Sequence, residues 1–440
     1  MNPWAKASKL ARLTPPERNR YVDFLRALSI LAVVSGHWLM AAPHFDSGQP
    51  KLAHLLEISP PSRILTWLFQ VMPVFFFVGG FSNKTSWESA RCKGQSFAAW
   101  FGARMKRLTS PVLLLLATWG VLAAIGYGLG VPAGMIRVGS QISLIPVWFL
   151  AVYLLVVACV PLSHSAWKRF GWTSIWPLIA AAALVDLAFF RAGLEWLGWA
   201  NYLFIWLAVH QLGYAWHDGK VGGSWGSLSS LLVGALALVM LTWWGPYPLS
   251  LVGVPGEAVS NTRPPKLPLA ALAAAQIGLL LALESPMRRW LEGERVWTAT
   301  VLLNGLIMTV FLWHSTVMML LIGAVLWLQP ALLDPLPASL LWWSWRPVWL
   351  LAYTLLLIPT VFLVIRIEVL APKSTTRTIR PSRLLLGTAM ICLGLAFLAS
   401  GGVGSDRAPG VRLLPLLFPF LGAGIAGFGL LAWPRTLFRR

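Results

Sequence analysis

Apolar stretches of about 18 to 25 residues recur along this chain from one end to the other, and each is long enough to cross a bilayer as a helix. A backbone inside hydrocarbon finds no water to bond with, so only helices and closed barrels satisfy themselves there. No alternation of period two competes with the apolar runs, which leaves helices. Composition agrees: 57% of residues are hydrophobic and 11% charged, with mean hydropathy +0.70, against about 25% charged in a soluble domain. The fold class read from the sequence is all-α, a polytopic transmembrane helix bundle of about ten core helices plus a C-terminal two-helix hairpin.

Spans are expected at 22–42, 62–81, 108–130, 144–162, 173–191, 200–217, 227–245, 267–284, 298–327, 346–370, 383–400 and 413–433. The formal net charge of +20 would suggest nucleic acid in a soluble protein. Here the question is where the cations lie. With the N-terminus cytoplasmic, 24 Lys and Arg fall in cytoplasmic segments and nine outside, the asymmetry of the positive-inside rule. Topology thus accounts for the basic balance, and no nucleic-acid partner is needed. The expectation is a multi-pass protein of the cell inner (plasma) membrane with both termini cytoplasmic and membrane lipid around it. The first apolar run carries Asp23 and Arg26 and lacks a small-residue cleavage site, so it reads as a retained helix, not a signal peptide. Cys92, Cys159 and Cys392 form no disulfide or metal-ligand spacing, and no metal is expected.

Three segments follow from this organisation: a basic tail over 1–20, a membrane core over 21–370, and 371–440, a basic linker with two accessory helices. Those last helices hold almost no ionisable residues, so the chemistry is expected within about 1–370.

A charge at mid-bilayer costs about 2.5–3.5 kcal/mol on insertion scales, so each needs a partner, a wet cavity or a function. The first helix, RYVDFLRALSILAVVSGHWLM, contains Asp23, Arg26 and His37. Asp23 and Arg26 are i and i+3 and can pair. His37 follows Arg26 by eleven residues, about 16 Å along the axis, and eleven steps of about 100° return to nearly the same face. The spacing alone is weak, since chance supplies about half an occurrence in a chain with this many Lys, Arg and His. Specificity comes from both residues lying in one transmembrane helix beside Asp23. The competing reading of His37 is a packing histidine.

The second span region, FQVMPVFFFVGGFSNKTSW, suggests a kinked helix leaving on the cytoplasmic side with Ser82, Asn83 and Lys84. RMKRLTSP follows, with Arg104, Lys106 and Arg107 just before the third span. Arg104 and Arg107 form an i, i+3 fork suited to phosphates, though isolated cations here are more often simple membrane anchors. His314 lies mid-span in FLWHSTVMM, with Asn304 ten residues before it, and Trp148 opens PVWFLAVYLL. These three are further buried polar candidates. His210, Gln276 and Asp186 are more often helix-to-helix hydrogen bonds than catalysts.

Taken in order, these features resemble the acyltransferase 3 family of bacterial integral-membrane O-acyltransferases. The carrying residues are the Asp-x-x-Arg-Ala opening and Arg26-x10-His37, then MPVFFFVGGF with RMKRLTSP, then VWFLAVYLL, then FLWHS. Family members commonly have Ser-Gly-Phe where this chain has Gly79-Gly80-Phe81, and many carry an acid where it has Tyr153 and Leu154. The resemblance implies transfer of an acyl group, often acetyl, from cytoplasmic acyl-CoA to a hydroxyl of a cell-envelope carbohydrate or glycolipid. Acyl-CoA is then a substrate and no cofactor is bound. In that reading His37, Arg26 and Asp23 form the catalytic set, with His37 as general base. Ser82, Asn83, Arg104, Lys106 and Arg107 bind the donor. The same buried charges would also serve a secondary transporter or flippase of an amphipathic solute, which would act without consuming acyl-CoA.

Overall fold

The computed structural model describes residues 3–370 and 379–428. The linker cations Lys373 and Arg377 and the end of the last expected span lie outside the described residues, as does Arg440 at the C-terminus.

Short α1 (Pro3–Arg12) precedes α2 (Arg20–Met40), which starts where the Asn19 side chain accepts from the Tyr21 and Val22 amides. α2 runs into a two-stranded antiparallel hairpin, β1 (Ala41–Asp46) and β2 (Gln49–His54). Its turn residues Ser47 and Gly48 both have positive φ, the backbone of a two-residue hairpin loop. The sequence reading placed no strand here, because six-residue strands interrupted by Pro43 and Pro50 leave no clear alternation.

The second span runs over Pro60–Cys92 and is interrupted close to where a kink was expected. α3 (Leu55–Ile58), a 3-10 turn at Pro60–Leu65 and α4 (Thr66–Phe69) lead to a break at Gln70 and Val71. α5 (Met72–Cys92) begins after it, with Pro73 in its first turn. A proline there lacks an amide the helix would not have used, so it starts the helix instead of bending it. α6 (Phe97–Gly128) is capped by Ser96 and begins eleven residues before the expected 108. Residues 82–107 are therefore mostly helix, and Arg104 to Arg107 sit inside α6.

α7 (Ala133–Ser143) and α8 (Pro146–Ala158) form a pair bent by 45°. α9 (Val160–Phe170) and α10 (Trp176–Ala192) follow, with a 76° bend between them. Then come α11 (Asn201–His217), α12 (Ser224–Trp243), α13 (Leu267–Ala282) and α14 (Glu284–Trp290). The long α15 (Glu294–Leu328), α16 (Leu340–Leu370), α17 (Pro381–Gly401) and α18 (Leu413–Ile425) complete the bundle. Among the described residues, seven helices are long and apolar enough to cross a membrane, and up to ten if each bent pair counts once. Of the twelve spans expected, α11 has 17 residues and α18 has 13 among those described, at or below the short end for a spanning helix.

The molecule is an all-α multi-pass bundle. Its interior is built around α2, α5, α11 and α15. α5 and α11 approach so closely that a side chain at Gly80 would collide with the His210 carbonyl, and one at Gly213 with the Phe77 carbonyl. Glycine is required at such a crossing. α17 packs its buried Leu384, Ile391, Leu395 and Leu398 into the bundle. Its Thr388 hydroxyl meets Met105 Sδ of α6 at 3.1 Å, and Cys392 Sγ meets the Ala151 carbonyl of α8 at 3.3 Å.

Candidate active site

His37 lies one turn before the end of α2, and His314 lies twenty residues into α15, about 30 Å from its start. The two rings lie edge to edge and nearly coplanar, with centroids 5.1 Å apart and planes within 16°. His37 Nδ1 and His314 Nε2 are 2.8 Å apart. His314 Nδ1 is 2.7 Å from the Phe311 carbonyl oxygen, and the Ser315 hydroxyl is 3.1 Å from His314 Nε2.

Three neighbours hold this turn of α15. The Trp38 indole donates to the His314 carbonyl at 3.2 Å, the Trp119 indole to Thr316 Oγ1 at 3.0 Å, and Ser143 Oγ to the Ser315 carbonyl at 3.5 Å. His314, Ser315 and Thr316 are buried. The sequence singled out both histidines but not their contact, because α2 and α15 lie 277 residues apart at this point.

The other end of α2 is an ion-paired cluster. Arg18 Nε donates to Asp23 at 2.6 Å, while Arg26 is half-exposed with its nearest guanidinium nitrogen 3.9 Å from Asp23. Asn304 donates to the Asp23 main-chain carbonyl at 2.9 Å. Arg18, Asp23, Trp297, Val301, Asn304 and Gly305 line a cavity of about 230 Å³. So Asn304 is brought to Asp23, not to His314.

Asn83 is buried and joins three elements. Its Oδ1 accepts from Arg104 Nε at 3.4 Å, and its Nδ2 donates to the Tyr153 hydroxyl at 3.2 Å and faces His210 Nε2 at 3.1 Å. The Arg104 guanidinium also lies over the Trp100 ring at 4.5 Å. Arg107 is exposed, whereas Ser82 and Lys106 are half-buried. Lys84 is buried and pairs with Asp218 beyond the end of α11. Burial tends to raise the Asp218 carboxyl, but hydrogen bonds from Lys84, Trp167 and His217 outweigh it and hold the group at about 2.

Between Asn83 and the histidines runs a file of rings. Tyr153 stacks on Phe149 at 5.6 Å, Phe149 meets Phe311 edge-on at 6.0 Å, and Phe311 lies 6.2 Å from His314. Trp148 packs edge-on to Phe149 and Tyr202 beside this file. Gly79 makes room for it, since a Cβ there would stand 2.9 Å from the Tyr153 ring. In the sequence Tyr153 stood out as a departure from the family pattern, and Phe149 and Phe311 fell within VWFLAVYLL and FLWHS, but nothing pointed to a file of rings, because aromatics in a span look like any other lipid or core residue. His210, Gln276 and Asp186 bond across helices: Gln276 to the Trp67 and Gln70 carbonyls, and Asp186 to Asn201, Tyr247 and the Leu267 amide. Among the described residues no group of three or more His, Cys, Asp or Glu is placed to hold a metal.

A family model described as an acyltransferase domain, that of the acyltransferase 3 family, matches residues 19–368, about four-fifths of the chain. The chain belongs to that family. This acyltransferase matches no curated protein and no solved structure. The matched residues contain both histidines, Asp23, Arg26, Asn83 and the Arg104 helix.

Proposed function

We propose that this membrane acyltransferase moves an acyl group, acetyl by the family's habit, from cytoplasmic acyl-CoA to a hydroxyl of a cell-envelope carbohydrate or glycolipid. The plasma membrane and cytoplasmic termini belong to the same reading. The observation that carries it is the hydrogen-bonded His37–His314 pair, joined by the ring file to Asn83 and Arg104.

The hydrogen bonds support a direction for the pair. A carbonyl only accepts, so the Phe311 oxygen requires the proton of neutral His314 on Nδ1. His314 Nε2 is then an acceptor, and His37 Nδ1 donates to it. That leaves His37 Nε2 with its lone pair, the tautomer of a general base. In the proposed step His37 Nε2 takes the proton of the acceptor hydroxyl as its oxygen bonds to the thioester carbonyl carbon. The carbon–sulfur bond breaks, and the departing CoA thiolate takes the proton back from His37. His314 holds the ring in place and shares the transient positive charge.

Arg26 lies about 16 Å from His37 along α2, too far to touch the reacting carbonyl. With Asp23, Arg18 and the 230 Å³ cavity, it suits the donor end of the path. Asn83, Arg104, Lys106 and Arg107 would meet the CoA phosphates, with Ser82 nearby, and the rings would line the pantetheine arm.

The test is acyl transfer from acetyl-CoA by purified protein, normalised to the folded fraction. A positioned base contributes about 10²–10⁴-fold, so His37→Ala should lose at least a hundredfold in turnover. Near wild-type turnover in that variant would sink the mechanism.

A further inference from the structure

At the hairpin end of the bundle, Arg346 of α16 is only 4% exposed. Its Nη1 donates to the Ala41 carbonyl at 3.0 Å, and its guanidinium lies 3.6 Å from the Trp342 ring centroid. Its Nε has no hydrogen-bond partner, and no carboxylate lies within ion-pair distance among the described residues. A buried arginine left with an unused donor and no counter-charge is expensive unless something charged arrives to meet it. Ala41 is also the residue whose amide caps the His37 carbonyl, so Arg346 is two bonded contacts from the proposed base. It stands at the end of α2 opposite the Asp23 cluster.

Arg346 lines a narrow cleft with Trp342, Trp345, Trp349 and Pro43. The free space is about 10 Å³, room for about one water-sized group. A sugar ring does not fit inside, but a single oxygen of a phosphate or carboxylate does. Trp345 is 39% exposed and Trp349 half-buried. They offer flat apolar faces at the rim.

We propose that this cleft is an anion subsite that takes one oxygen of a phosphate or carboxylate on the acyl acceptor, with the acceptor's sugar lying on Trp345 and Trp349. This inference rests on the acyltransfer reading above and narrows it: the acceptor is an anionic glycan or glycolipid. Guanidinium is the group suited to this task, since it holds its charge and presents several donors to one oxyanion.

The test uses purified full-length protein in phospholipid-free detergent, with glucose 1-phosphate and glucose as probes in a calorimetric titration. Wild type should bind glucose 1-phosphate at least tenfold more tightly than glucose, and Arg346→Gln should erase that preference. Because Arg346 also anchors Ala41, Trp345→Ala is a second variant. It should weaken both probes by a similar factor and keep their ratio. Equal binding of the two probes to wild type, or an unchanged preference in Arg346→Gln, overturns the proposal. Repeating the titration in phosphatidylglycerol nanodiscs separates an acceptor phosphate from a lipid headgroup. If the lipid abolishes the preference, the site serves bulk lipid and the acceptor assignment falls. Binding needs no turnover, so a protein that binds through Arg346 yet transfers no acetyl group would refute the acyltransfer reading and leave the anion site standing. Conversely, transfer to an anionic acceptor with KM unchanged in Arg346→Gln would refute the site alone.

Discussion

His37 and His314 share a hydrogen bond but differ in what their other nitrogens meet: a carbonyl pins His314 Nδ1, and nothing in the pair claims His37 Nε2. Their variants should differ accordingly. His314→Ala leaves the proposed base but frees its ring, so kcat should fall by about 10- to 100-fold, less than for His37→Ala, with KM for acetyl-CoA nearly unchanged. A wild-type kcat in that variant would show that His37 needs no support. Gly79 and Tyr153 are a second coupled pair. A methyl at Gly79 would press on the Tyr153 ring, so Gly79→Ala should cost about 1–3 kcal/mol by overpacking. The same change in a Tyr153→Ala background should cost little, and a double-mutant cycle on melting curves reads the difference. The two departures from the family pattern noted in the sequence are thus neighbours in space. Asp23, Arg26 and His37 were visible from the sequence because ionisable groups stand out in an apolar helix. Tyr153 was visible only as a departure from the family pattern, and its neighbours were not, because only the crossing of α5 and α8 brings it to Gly79 and Asn83.

Charged groups, some inside helices and some at their ends, fasten α5, α9 and α11 to one another. The Lys84 ammonium of α5 and the Trp167 indole of α9 both meet the Asp218 carboxylate after α11. His164 and Lys168 of α9 reach Glu88 of α5 at 2.9 and 3.4 Å. Asp218 is held at about 2, below its ordinary 3.8. A lowered carboxyl contributes stability above the ordinary value and loses it as pH falls through the folded one. Asp218→Asn should therefore melt below wild type at pH 7, and the gap should close as pH drops from about 4 to about 2. A gap that stays constant with pH would mean the carboxylate charge is not what fastens α5 to α11. Hydropathy showed that α5 and α11 exist, since their apolar runs are long, but left most of α9 in a loop, since VPLSHSAWKRF is polar at its end. It misplaced their ends, because α5 and α6 continue as helix past the apolar stretch and the break at Gln70 depends on Pro73 starting a new helix.

Across the whole molecule, the C-terminal pair is bound to the helices that carry the candidate donor groups. Besides the Thr388 and Cys392 contacts, Gln141 of α7 donates to the Ser400 carbonyl at 2.8 Å, and the Val403 amide donates to Ser140 at 2.9 Å. Met105, which Thr388 touches, adjoins Arg104. A chain ending after 370 should still insert, yet melt at lower temperature and show a raised KM for acetyl-CoA. Identical melting and KM would return α17 and α18 to bystanders. In a bilayer this dependence comes from packing and hydrogen bonds, since lipid is as apolar as the helix it would replace. That is why a run of apolar residues with no charges gave no hint of it. The ring file has an electrical consequence as well. Phe149 and Phe311 carry neither donor nor acceptor, so the hydrogen-bonded chain from Arg104 through Asn83 to Tyr153 stops short of the histidines. Those ring side chains give a proton nothing to hop along, and in the proposed reading an acyl group would pass while the voltage across the membrane holds. Sealed vesicles carrying the enzyme should keep an imposed pH gradient during turnover as long as empty vesicles do; a faster decay would reveal a wire that the rings fail to cut.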